Sequence, residues 1–207
     1  MTPYVLSQED INIIKSVLTD KTKSSQEKWK DDNVKTLKSK IKTHYIDEQD
    51  HKCAYCLVHN PSDNHKVWDT EHIIDKSSSP QWMFEPLNLC VSCPDCNSAK
   101  GIRAVAKSKK YTHFPKQSRN YKIIHPHFDT YEDHIDCALP GFTYRWKTEK
   151  GRYTIETCGL LRYHSAVGRK NTDLILKSLL ALALKDPSPE VLNAVSDHII
   201  NSRTNQK

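Results

Sequence analysis

Residues 53–101 contain CAYC (53–56), WDTEHIIDKS (68–77), LNL (87–89) and CPDCNSAKG (93–101). Two Cys-x-x-Cys knuckles, Cys53/Cys56 and Cys93/Cys96, bracket a polar segment holding Glu71, His72, Asn88 and Asn97. A Cys-x-x-Cys turn lets two thiolates reach one tetrahedral ion, and two such turns supply the four ligands of a structural zinc site. The stretch therefore predicts a zinc staple, and the acid–imidazole pair inside it predicts a second, hydrolytic metal site. Cys90, three residues before Cys93, is a rival ligand; like Cys137 and Cys158 it reads better as a small core residue.

Local patterns give this stretch an order of strand, loop, return and helix. Val67–Ile74 alternates as a strand, Asp75–Pro80 is loop, and Met83–Leu89 leads back towards the second knuckle. Residues 97–110 read as a basic helix or its start, weakened by Gly101. Hydrolysing a phosphodiester puts charge on an already anionic group, so a divalent ion with oxygen ligands and a nearby imidazole form a minimal site. Glu71, Asn97 and His72 supply those types. Neighbouring strand residues point to opposite faces, so Glu71 and His72 converge only at a strand end or bulge.

The segments CAYC, TEHIIDKS and EPLNLCVSCPDCNSAKG resemble the HNH (His-Me finger) endonucleases over roughly Lys52 to Lys100, about a quarter of the chain. The resemblance implies an α+β protein: a small ββα-metal core stapled by zinc at the four cysteines, with helical N- and C-terminal extensions and a short β-hairpin. It implies cleavage of DNA or RNA, with His72 as general base, Glu71 and Asn97 as ligands of Mg²⁺ or another divalent ion, and Asn88 fixing the loop. Lys100 and Arg103 are then close enough to contact substrate phosphate. Two positions depart from the family pattern. Asp75 replaces its usual proline, adding a carboxylate near the metal, and Asn97 replaces its last histidine. The helical start and the segment NYKIIHPHFDTYEDHI resemble nuclease subunits of Septu-type and retron-associated anti-phage systems, which implies an ABC/SMC-like ATPase partner. A non-catalytic, zinc-ribbon-like module that grips nucleic acid or a partner is the rival reading.

The expected layout is a helical extension over 1–50, the zinc-bearing core over 51–110, and a β-hairpin with helices over 111–207. Ser7 is a candidate N-cap, with Ile11, Ile14, Val17 and Leu18 at helical spacing. KTKSSQEKWK (21–30) reads as a loop, followed by a helix burying Trp29, Val34, Leu37, Ile41 and Tyr45. Eight lysines between Lys21 and Lys42 read as a solvated face or, more sharply, as a phosphate-facing surface. Residues 111–140 read as irregular, with His125 and His127 either a second metal site or a polar brace. Phe142, Tyr144 and Trp146 alternate, and a turn at Lys150–Gly151 would return the chain through Tyr153 and Ile155 as a hairpin. The segment NTDLILKSLLALALK (171–185), with Asn171 or Thr172 as cap, is apolar nearly all round, predicting burial or a subunit interface and hence a homo-oligomer. Pro189 opens a last helix.

The 207 residues carry net charge +6, with 37% hydrophobic and 27% charged residues; the mean hydropathy is −0.70 and the pI about 8.8. So polar a chain predicts a modest core helped by bound metal. The basic excess suits a phosphate-bearing partner. No apolar run is long enough to span a bilayer, and MTPYVLSQED lacks a secretory pattern, so the expected location is cytoplasmic. Four of seven cysteines in x-x pairs favour metal over disulfides.

Overall fold

The computed structural model describes residues 1–108, 110–162 and 174–204. It is α+β: helices flank two separate two-stranded antiparallel sheets. Helix α1 (Gln8–Thr19) starts at Ser7, whose hydroxyl accepts from Asp10 N while the Asp10 carboxylate accepts from Ser7 N. The stretch expected to be a loop contains a short helix, α2 (Ser25–Lys30), because Ser24 and Glu27 form a second capping box. Helix α3 (Lys35–Glu48) follows, burying Leu37, Ile41 and Tyr45, with Val34 buried just before it. Beyond its end the Gln49 amide pairs with Val91 as a strand would, accepting from Val91 N at 2.8 Å and donating to Val91 O at 2.8 Å.

That clamp fixes strand β2 (Leu89–Ser92), which pairs with β1 (Asp69–His72) in the register Asp69↔Ser92, Thr70↔Val91, Glu71↔Cys90 and His72↔Leu89. The strand expected over 67–74 is shorter, since residues 65–67 form a 3-10 turn. Helix α4 (Pro94–Lys100) packs against β1 and has Pro94 in its first turn. Helix formation expected through residue 110 stops at Gly101, whose φ of 50° suits glycine and ends the helix.

The later hairpin also differs from expectation. Its strands are β3 (Ile135–Leu139) and β4 (Thr143–Trp146), with a register shift between Cys137 and Leu139. The proposed return strand is helix α5 (Glu149–Thr157), capped by Thr148 and burying Gly151, Thr154 and Ile155 at helical spacing. Gly151 is no turn residue. A Cβ there would lie 2.0 Å from His134 O, so the glycine permits α5 to touch the chain entering β3. Gly151→Ala is expected to cost about 1–3 kcal/mol through overpacking; a lowered urea midpoint at unchanged slope checks this.

Residues expected to be irregular over 111–140 are so up to β3, and their histidines form a brace. His127 Nε2 donates to Leu89 O at 2.9 Å, the His125 imidazole accepts from the backbone N–H of His127 at 3.2 Å, the His125 backbone N–H donates to Asp129, and Asp129 is paired with Lys150 at 3.0 Å. One core runs from Ile14 to Leu160. A smaller one joins α6 (Leu174–Ala183) and α7 (Pro189–Thr204) through Leu180, Ala183 and Val195. Burial all round α6 is not observed: Leu182 is exposed, as is Leu184 just beyond the helix end. The proposed caps Asn171 and Thr172 lie outside the described residues. No helix among the described residues is long and apolar enough to cross a membrane.

Candidate functional site

The knuckles converge as their spacing requires. Ala54 N donates to Val91 O, docking the first knuckle on β2, while Cys93 occupies the position just before α4 and places Cys96 one turn inside it. The ligand atoms of Cys53, Cys56, Cys93 and Cys96 lie within 4.8 Å of one another. The Cys56–Cys93 sulfur separation is 3.8 Å. A tetrahedron with metal–sulfur bonds of about 2.3 Å has edges of about 3.8 Å, so the cluster fits an ion such as zinc. Burial pushes the Cys53 thiol up, which a bound cation would reverse. Cys93 N–H donates to Cys53 Sγ at 3.3 Å, and the Arg162 guanidinium lies 3.4 Å from Cys96 Sγ and 3.6 Å from Cys93 Sγ. Both contacts offset thiolate charge. Arg162 lies 66 residues from Cys96, and no local pattern announces it.

Strand β1 stays regular to His72, so Glu71 and His72 face opposite sides. Glu71 turns towards α4 and is 3% exposed. It pairs with the Lys100 ammonium at 2.5 Å and accepts from Tyr55 OH at 3.2 Å. Burial raises the Glu71 carboxyl, opposed by Lys100 and Tyr55. His72 turns the other way, edge-on to Trp29 at 4.4 Å between ring centres. Its Nε2–H donates to Met83 O at 3.1 Å, which fixes the tautomer and leaves Nδ1 as the basic nitrogen. Burial, then the nearby Lys76 charge, lowers the His72 pKa to about 3, so the ring is neutral near pH 7.

Asn88 is fully buried. Its side chain accepts from Ile74 N at 2.7 Å and donates to Ile74 O and Trp82 O, tying the loop between β1 and β2 to its own ends. Asp75 is used within that loop, accepting from Ser77 N and Ser78 N. Asn97 is not joined to Glu71; its amide donates to Asp69 at 2.7 Å. Asp69, missed in the sequence, lies two residues before Glu71 on the same face of β1, a signal that period-2 counting offers. Asp69 and Asn97 line a cleft of about 500 Å³ with Trp29, Thr70 and several lysines. Their oxygens are the types that a hard divalent ion takes. Lys100 is 1% exposed and also donates to His72 O at 2.9 Å, so its charge is spent inside. The Arg103 guanidinium caps α4 by bonding Ala99 O and reaches Thr157 O at 2.7 Å.

Compared with curated proteins, the chain is similar to the Septu protein PtuB of Bacillus thuringiensis, at 27% identity over 144 residues, covering 70% of this chain and 50% of that protein. The chain thus spans about half the length of this relative. No family model and no solved structure matches it.

Proposed function

We propose that the chain is a metal-dependent endonuclease of the HNH type, hydrolysing phosphodiester bonds in DNA or RNA. The observation that carries this reading is the state of His72: neutral, with Nε2–H spent on Met83 O and Nδ1 held as a proton acceptor. An imidazole with its acceptor nitrogen free is the group type that takes the proton of an attacking water. Burial keeps this one weakly basic, so catalysis requires that substrate and metal bring water to Nδ1 and raise its basicity. Asn97 and Asp69, which share one cleft, are the proposed ligands of Mg²⁺ or another divalent ion, and Glu71 joins them only by leaving Lys100. On a regular β1 both carboxylates face away from His72, so the hydrolytic arrangement requires a shift at the end of that strand. When bound, the ion would neutralise developing charge on the phosphoryl oxygens. Asn88 keeps the loop closed so that His72 and Met83 stay in register, and zinc at the four cysteines holds α4 against β1. Similarity to the Septu protein PtuB supports a role in anti-phage defence; the nuclease role and the ATPase partner are what the HNH and Septu-type resemblance of the sequence implies.

One observation favours a second reading, a zinc-stapled binding module without hydrolysis: Lys100 already neutralises Glu71. Incubating the protein with plasmid DNA and with RNA, in Mg²⁺ or Mn²⁺ and in EDTA, decides between them. In the nuclease reading cleavage is expected with metal, and His72→Ala should slow it by roughly 10²–10⁴-fold. Zinc content and the far-UV spectrum should not change. Full activity in that variant refutes His72 as the base. Binding without cleavage under every metal, with the ATPase partner present, favours the module.

A further inference from the structure

Lys35, Lys38 and Lys42 occupy positions i, i+3 and i+7 of α3 and so share one helix face. They line the cleft that holds Asp69 and Asn97, and Lys76, from the loop after β1, joins them. Four ammonium groups and one carboxylate, Asp69, thus line the cleft, with Asp31 and Asp32 acting on Lys38 from just before α3. Two are held in place: Lys38 Nζ donates to Trp29 O at 2.5 Å, and Lys42 Nζ donates to His65 O at 3.0 Å and Trp68 O at 2.7 Å. An ammonium has three donors, so each keeps at least one for a ligand. Lys35 and Lys76 form no ion pair among the described residues. Helix α3 opens on Lys35 at the positive end of its dipole with no acidic residue in its first turn, the nearest carboxylates being Asp31 and Asp32 in the turn before it. Gathering like charges here is costly unless an anion completes the site. Burial holds the Lys38 ammonium below its usual range, opposed by Asp31 and Asp32 and helped by Lys35 and Lys42.

We propose that this cleft seats the phosphate backbone of a nucleic-acid strand, gripped by α3 and Lys76 instead of Lys100 or Arg103. From Lys35 to Lys42 the helix rises about 10 Å, at about 1.5 Å per residue. A strand along α3 passes the oxygens of Asp69 and Asn97 on the opposite wall. The inference deepens the nuclease reading but is tested apart from cleavage.

The test is fluorescence anisotropy in EDTA with a fluorescein-labelled DNA strand and its RNA counterpart, at several salt concentrations. Lys35→Gln/Lys76→Gln is expected to weaken binding at least tenfold at low salt. It should also reduce the slope of log affinity against log salt by about 1.4, at about 0.7 per phosphate contact. The control, Lys15→Gln/Lys110→Gln, removes equal charge from exposed positions elsewhere and should retain the wild-type affinity. Unchanged binding in the folded cleft variant overturns the proposal. Equal loss in both variants, or no binding of either strand by the wild type, does the same. Cleft-dependent binding by a protein that cuts nothing under any metal upholds it while the hydrolase reading falls.

Discussion

Removing the metal from the four-cysteine cluster is expected to unfold the central stretch of the chain. The protein should purify with about one equivalent of zinc per chain, and a chelator that strips it should abolish the cooperative thermal transition. Binding of a structural zinc contributes about 10–16 kcal/mol near pH 7, as much as or more than the total stability of an ordinary domain. The reason lies in what the sulfurs join. Cys53 and Cys56 sit on a turn with Leu57 at φ 56°, and Cys93 and Cys96 sit at the start of a seven-residue helix. Neither turn nor helix is stable alone, and the β1–β2 pair between them has only four residues per strand. Cys96→Ser should reproduce the loss in part, because three ligands and a hydroxyl bind zinc more weakly. A metal-free protein that melts at the same temperature as the zinc-loaded one would show that the apolar core carries the fold unaided.

Local chemistry in the sequence made several elements legible. The Ser7–Asp10 spacing marks the start of α1, the run Val34, Leu37, Ile41 and Tyr45 marks the buried face of α3, and the paired Cys-x-x-Cys turns mark the cluster. Ser24 and Glu27 offered the same capping signal for α2 and were masked by the polarity of their neighbours. The second hairpin was misplaced because Lys150–Gly151 looks like a turn. What distinguishes it is a contact with His134 O, seventeen positions earlier, and no local pattern encodes that. The same limit applies to the candidate site. Residue types at 71, 72, 88 and 97 were readable, but their pairings were not. Lys100 looked like a phosphate contact because the resemblance places it beside the site. Its partner Glu71 lies on a different element, and only the packing of α4 on β1 brings them together. The lysines of α3 were readable as one face, but Lys76, which makes that face one wall of a cleft, was not.

Lys100→Met is expected to destabilise the protein by about 3–5 kcal/mol, because it strands a buried carboxylate. In the native structure Glu71 is 3% exposed and Lys100 1% exposed, and the 2.5 Å contact between them is the charge balance of that interior. Without the ammonium, Glu71 must stay protonated to remain buried, so its folded pKa rises further above the unfolded value. A proton is then held by the folded state and not by the unfolded one, so stability falls as pH increases. The penalty should be small below about pH 4, where both states are protonated, and fully developed above the raised folded pKa. Urea midpoints across that range measure it. Lys100→Met/Glu71→Gln should recover most of the loss, since no charge remains to be solvated. The single variant also bears on the proposed metal chemistry. If Glu71 ligates a divalent ion, millimolar Mg²⁺ or Mn²⁺ should replace the missing ammonium and raise the melting temperature of Lys100→Met well beyond any shift in the wild type. A Lys100→Met protein whose melting temperature ignores divalent ions at every pH would remove Glu71 from the ligand set and leave Asp69 and Asn97 as the oxygens to test.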